Sequence, residues 1–340
     1  MTTNIFVLGM TDLQRDELET IRGADAYRFH GLLDYDQLAI VCHWDFPSSI
    51  IGPILSAERD LPAPSLKSLL PTSRTDTPTG MSARHPSHRV RVPVNLQTWS
   101  HLTFLHWEYA VETVQELVPE RLRVQAWDGR TWVGVIPFAM SDVRAPGLPP
   151  PPGWGYFPEL NVRAYVRSAD GREGIWFLTM LVPRVTFQAA LSTIGLPYHR
   201  SDCTIRVMGD RWTRDRILGD PAASDRVTCA RWDYRFGEPA LTRPPADDWF
   251  RARVDVGPPL AEADRTPLVD SLTARWWAFH RRGILWHAPA NHPPGPLHEA
   301  SVTGRLTAPL RHAGLPEPLG PPMIHASPGV RTKLGSLRPA

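Results

Sequence analysis

Two turn dipeptides, Asp128-Gly129 and Asp170-Gly171, stand between runs of strand-forming residues, and no other feature of the chain constrains its fold so strongly. Asp and Gly both tolerate the positive φ that a tight hairpin turn demands. RLRVQAWDGRTWVGVIPF (121–138) therefore predicts one hairpin, and FPELNVRAYV (157–166) returning into GIWFLTMLV (174–182) predicts a second. Further strands are expected in DCTIRVMGD (202–210), DRWTRDRI (210–217) and DRVTCARWDYRF (225–236). Helical spacing is confined to short stretches. EYAVETVQELV (108–118) reads as a helix, with Val111, Val114, Leu117 and Val118 on one stripe, closed by Pro119, and residues 183–194 read as helical. Leu268, Leu272, Trp276 and Phe279 form another stripe. Successive hairpins with few helices predict an α+β fold built on an antiparallel sheet, curled or closed into a barrel-like form.

The second hairpin opens on a strand with two unlike faces. Leu160, Val162, Ala164 and Val166 alternate with Glu159, Asn161, Arg163 and Tyr165, and alternate residues of a strand point to opposite sides. The plainer reading puts the polar set in water, as on any half-buried antiparallel strand. The sharper one turns it into a pocket. There Arg163 is a clamp for a carboxylate or phosphate, with Asn161 and Tyr165 as further ligand contacts, and Glu159 is a general acid or base. Glu159 and Arg163 stand four residues apart, about 13 Å at strand rise, so they are not expected to pair directly.

Composition narrows the chemistry. Of 37 basic residues only Lys67 and Lys333 are lysines, and 35 acids leave a net charge of +2. That balance gives no field for nucleic acid or a membrane surface, so neither is expected as a partner. Cys42, Cys203 and Cys229 lie far apart, which suits a reducing, cytoplasmic setting. His287, His292 and His298 are spaced too widely for a zinc site, and no phosphate loop or nucleophile elbow occurs, so no metal or cofactor is implied. His101 and His106 flank LTFL in what reads as an aromatic-rich helix entry, and they read as structural.

The chain divides by texture. Residues 1–70 carry a strand–helix–strand pattern (NIFVLG, TDLQRDELETI, AIVCHWDFP), and 71–93 form a Pro-, Ser- and Arg-rich linker. Residues 94–303 hold the hairpins, and 304–340 read as a mobile, Pro-rich tail. NIFVLGMTDLQRDELETI, with YRFHGLL (27–33), WDFPSSIIGPIL (44–55) and LPAPSL (61–66), resembles the small α/β segment that precedes the lobes of ATP-grasp proteins. The lobes themselves do not follow, so the segment is expected to be truncated and unable to bind ATP in that family's manner.

LQTWSHLTFLHW (96–107), VPERLRVQAWDGRTWVGVIPFAM (118–140) and FPELNVRAYV, with GLPYHRSD (195–202), SLTARWWAF (271–279) and HPPGPLHEA (292–300), resemble the YqjF-like family. The resemblance implies an acetoacetate decarboxylase-like sheet whose interior lines a pocket, and no established activity. It also implies that the loop with Tyr198 and His199 replaces the one bearing the decarboxylase lysine, which makes both residues candidate acid–base groups. With Lys67 just ahead of the linker and Lys333 in the tail, no lysine is left for a Schiff base, and arginine is not a nucleophile. The expectation is a small anionic or oxygenated organic ligand, held in the pocket or acted on by acid–base chemistry. A non-catalytic structural or binding domain is the alternative, and a nucleotide-linked role of the N-terminal segment is the third.

Overall fold

The structure is a computed structural model that describes residues 84–86, 88–208, 231–239 and 249–340. The ATP-grasp-like segment, most of the expected linker, the strand expected at 210–217 and the first part of that expected at 225–236 lie outside these residues.

The described chain is predominantly sheet. β1 (Asn95–Ala110) runs into a short α1 (Val111–Gln115), followed by β2 (Leu122–Val124), β3 (Arg130–Arg144), β4 (Tyr156–Ser168) and β5 (Glu173–Val182). Then come α2 (Val185–Ser192), β6 (Tyr198–Arg200), β7 (Cys203–Met208), β8 (Arg231–Phe236) and β9 (Phe250–Pro259). α3 (Pro267–Thr273), β10 (Trp277–Arg282), β11 (Ile284–Asn291), β12 (His298–Arg305), α4 (Ala308–His312), β13 (Met323–Leu334) and β14 (Arg338–Pro339) complete it. The strand order is β14-β11-β10-β5-β4-β3-β1-β13-β12-β9-β8-β7. β11 also pairs with β13 through Ala290↔Leu334 and Asn291↔Lys333, which closes β1, β3, β4, β5, β10, β11 and β13 into a ring. Pairing around the ring is antiparallel except at β5–β10.

Both Asp-Gly turns form. Asp128 and Gly129 each have positive φ (48° and 76°), and Trp127 and Arg130 exchange backbone hydrogen bonds across them. Asp170-Gly171 joins β4 to β5 as expected. The first hairpin nevertheless differs from the expectation: its leading arm, β2, pairs with β4 rather than with β3. The turn chemistry was local, but the partner of a three-residue strand is decided by the sheet around it.

Three readings of period were overturned in the same way. Glu108–Ala110 belong to β1, opposite Thr131 and its neighbours on β3, so the stripe over 108–118 shrinks to one helical turn. His101 and His106 accordingly sit on a strand, with His101 at a bulge (φ 54°). α3 stops at Thr273, because Trp277 onward pairs with β11. Residues 304–340, expected to be a mobile tail, carry α4, β13 and β14, and β13 is bonded to β1, β11 and β12.

Two apolar clusters occupy the two sides of β4. Leu160, Val162, Ala164 and Val166 pack with Trp232, Tyr234, Phe250 and Val254 from β8 and β9. Phe157 packs with Phe104, Ile136, Phe138, Met180, Phe187 and Tyr198. The strand is therefore buried on both faces, which is why its polar set is not a solvated face.

Candidate functional site

The alternation of β4 carries Glu159, Asn161, Arg163 and Tyr165 to the side on which Phe104, Ile136 and Phe138 pack. Glu159 is 1% exposed, Asn161 5%, Arg163 9% and Tyr165 1%. No member of the set reaches open solvent.

At one end, the Tyr198 hydroxyl on β6 donates to Glu159 Oε2 at 3.1 Å. β6 lies beside β5 in parallel, Met180↔Tyr198, and that register delivers the phenol to the carboxyl. Burial pushes the Glu159 pKa up to about 8, against the opposing influence of Tyr198 and of the neighbouring Asn161 amide. Glu159 is thus held mainly as the neutral acid at pH 7. Burial also raises the Tyr198 hydroxyl well above its ordinary range. His199, next in sequence, faces away from this group: it is exposed, with its ring 5.2 Å from that of His312. The structure brings Tyr198 to Glu159 and leaves His199 out.

At the other end the Tyr165 hydroxyl is a node. It receives Arg163 Nε at 3.0 Å, donates to the Leu272 carbonyl at 2.9 Å and lies 2.6 Å from His106 Nε2. Arg163 Nη2 donates to the same Leu272 carbonyl at 3.0 Å. A phenol has one hydrogen, so while it serves Leu272 the His106 ring must donate through Nε2–H. Burial, with Arg163 and Arg275 nearby, holds His106 well below its usual pKa, and it is neutral.

Arg275, which reading the sequence missed, is the second cation. Its guanidinium lies 5.1 Å from the Tyr165 ring centre, and that of Arg163 lies 5.4 Å from it. Arg275 is 6% exposed, and burial lowers its pKa to about 10, so it stays charged. Nη2 donates to Ser271 Oγ at 2.6 Å, and Nη1 is 3.5 Å from Glu173 Oε2, but Nε and Nη1 make no hydrogen bond among the described residues. Glu173 is shared, since Arg167 Nη2 holds its other oxygen at 2.6 Å. Arg163 has no carboxylate within ion-pair distance among the described residues. Other buried polar atoms without partners there include Asn161 Oδ1, His106 Nδ1, and His325 Nδ1 and Ser327 Oγ on β13. The signal that would have found Arg275 is a single charge inside the apolar run LTARWWAF.

His287, His292 and His298 go to three environments: His287 against Trp277, His292 between Trp99 and Trp276, and His298 Nδ1 on the Gly257 carbonyl. Among the described residues no group of three or more His, Cys, Asp or Glu is placed to hold a metal ion. No helix among them is long and apolar enough to cross a membrane. Lys333, expected in the tail, stands on β13 opposite Leu96, exposed at the wall of a surface cleft and outside the buried set.

The chain belongs to DUF2071, a family of uncharacterized conserved proteins, which it matches over residues 96–331. It is 27% identical to the uncharacterized protein YqjF of Bacillus subtilis (strain 168) over 251 residues, covering 72% of this chain and 93% of that protein. Solved structures with a partly similar chain course include the enduracididine biosynthesis enzyme MppR with HEPES bound (12% identity, 74% of this chain and 90% of that one, TM-score 0.47). An acetoacetate decarboxylase-like enzyme from Sphingomonas wittichii RW1 overlaps similarly (11% identity, 74% and 94%, TM-score 0.47).

Proposed function

We propose that this protein binds a small organic anion in the interior flanked by β4 and α3, with Arg163 and Arg275 as its counter-charges. The observation that carries the reading is the imbalance of buried charge. Two guanidiniums share the Tyr165 ring, Glu159 is neutral, and the one carboxylate at hand, Glu173, is divided between Arg275 and Arg167. A buried charge without a full partner costs several kcal/mol, and a carboxylate or phosphate offsets that cost with charge-assisted hydrogen bonds to the free Arg275 donors. Asn161 and Tyr165 complete the polar lining. In this reading Glu159, held toward its neutral form by burial and bonded by Tyr198, gives a proton to the far end of a ligand several atoms long. His199 takes no part. A Schiff base is not part of this proposal, since Lys333 is exposed rather than desolvated as such a nucleophile requires.

One observation favours the structural alternative: Arg163 already spends two donors on Tyr165 and the Leu272 carbonyl, as a pin between β4 and α3 would. A thermal-shift screen of small carboxylates and organophosphates on the full chain, and on Arg275→Met, separates the two. The binding reading expects a rise of several degrees with at least one anion and its loss in the variant. Indifference of the folded wild type to every anion favours the pin. The third reading, a nucleotide-linked truncated ATP-grasp-like segment over 4–70, concerns residues outside those described and outside the family match. Deletion of 1–80 with unchanged anion response sets it aside.

A further inference from the structure

A second, separate feature is a surface cleft of about 680 Å³ at the foot of β1 and β13. Leu96 on β1 lies opposite Lys333 on β13 and opposite Arg144 on β3, and Thr98 lies opposite Arg331 and Ser141. Directly opposed residues on antiparallel neighbours share a face, so register alone gathers Lys333, Arg331 and Arg144 around Leu96 and Thr98. Arg89, from the segment leading into β1, adds a fourth cation to the lining. The one carboxylate lining the cleft, Asp142, is engaged by Arg144 Nε at 2.9 Å. Arg89, Arg331 and Lys333 are exposed and have no carboxylate within ion-pair distance among the described residues. The whole chain carries only +2, so four cations on one concave surface are a local concentration, not the mark of a basic protein.

Like charges on one face repel, and Arg331 and Lys333 are separated by only about 6.6 Å of strand. A group of two or more negative charges, gripped by planar guanidinium forks, relieves that repulsion where a single carboxylate leaves most of it. The volume falls in the range of small-ligand sites. We propose that this cleft binds the phosphate or diphosphate group of a small organic molecule. The site stands on different strand positions from the interior arginines, and His292, which lines it between Trp99 and Trp276, is the residue that also neighbours Arg163 and Arg275.

The test is calorimetric titration of the full chain with inorganic pyrophosphate, a sugar phosphate and a short oligonucleotide. The proteins compared are wild type, the cleft variant Arg331→Glu/Lys333→Glu and the control Arg200→Glu/Arg206→Glu, which makes the same charge change at exposed positions elsewhere. The proposal expects pyrophosphate or the sugar phosphate to bind wild type and control alike, and to bind the cleft variant at least tenfold more weakly, on the order of one lost charge-assisted contact. Far-UV circular dichroism verifies that the cleft variant is folded, and Arg331→Gln replaces it if it is not. Equal binding to all three proteins, binding to none, or tighter cleft-dependent binding of the oligonucleotide overturns it. Because Arg163 and Arg275 are untouched, failure here leaves the interior reading standing.

Discussion

Glu159 gives the sharpest test at the scale of one residue. Its folded pKa of about 8 lies above the ordinary 4.5, so the folded chain holds the proton more tightly than the unfolded chain. Its favourable contribution is complete below about pH 4.5 and drains away as pH rises to about 8. Between pH 5 and 8.5 this costs about 3–5 kcal/mol of stability. Glu159→Gln keeps the shape and cannot ionise, so denaturant unfolding of that variant should show most of this decline removed. An identical decline in both proteins would mean that the carboxyl is not buried and neutral. The Tyr165 node makes a second prediction. Tyr165→Phe leaves His106 Nε2 without its partner, and Arg163 Nε too, at a cost of about 2–3 kcal/mol in unfolding free energy. A loss below about 0.5 kcal/mol would show that the node contributes little. The sequence displayed the alternation of β4 and hence the company that Glu159, Asn161, Arg163 and Tyr165 keep. It did not display Arg275, whose neighbours Leu272 and Trp276 imitate a helical stripe while the chain turns to strand between them.

Among the elements, β5 and β10 make the one parallel contact in the ring, and Gly174 lies tight against β10 there. A Cβ at Gly174 would lie 2.5 Å from the Trp277 carbonyl oxygen and 2.7 Å from the Phe279 ring. Backbone on one side and a buried aromatic on the other leave no room to give. Gly174→Ala should therefore lower the unfolding free energy by about 2–4 kcal/mol, which chemical denaturation can measure. A change within 0.5 kcal/mol would mean that the junction is loose. Elements were legible where their signal was local: the Asp-Gly turns, the strand of the second hairpin and α2. They were misread where pairing outranks period. Glu108, Tyr109 and Ala110 fit a helix by spacing, yet they lie against Trp132, Thr131 and Arg130 on β3. β2 pairs with β4 instead of its hairpin mate, Leu122 to Val124 lying against Ser168 to Val166, a long-range choice that no local signal carries.

For the molecule as a whole, the ring depends on its last long strand. β13 bonds to β1 from His106↔Met323 to Asn95↔Leu334 and closes against β11. Its prolines and glycines in sequence suggested a tail, because nothing local reveals a partner more than two hundred residues away. A chain ending before Met323 should fail to fold cooperatively, seen as loss of a single sharp thermal transition. A cooperative transition in that truncated chain would mean that β13 is dispensable.

The proposed anion site joins Arg163, on the buried polar face of β4, to Arg275, between α3 and β10. The most direct measurement is a crystal structure of the full chain grown with the tightest-binding carboxylate or phosphate from the screen at saturating concentration. The account predicts the anion within hydrogen-bond distance of Arg275 Nε and Nη1 and beside Arg163. An interior in which both guanidiniums are served by water or protein alone, with the anion bound elsewhere, would contradict it.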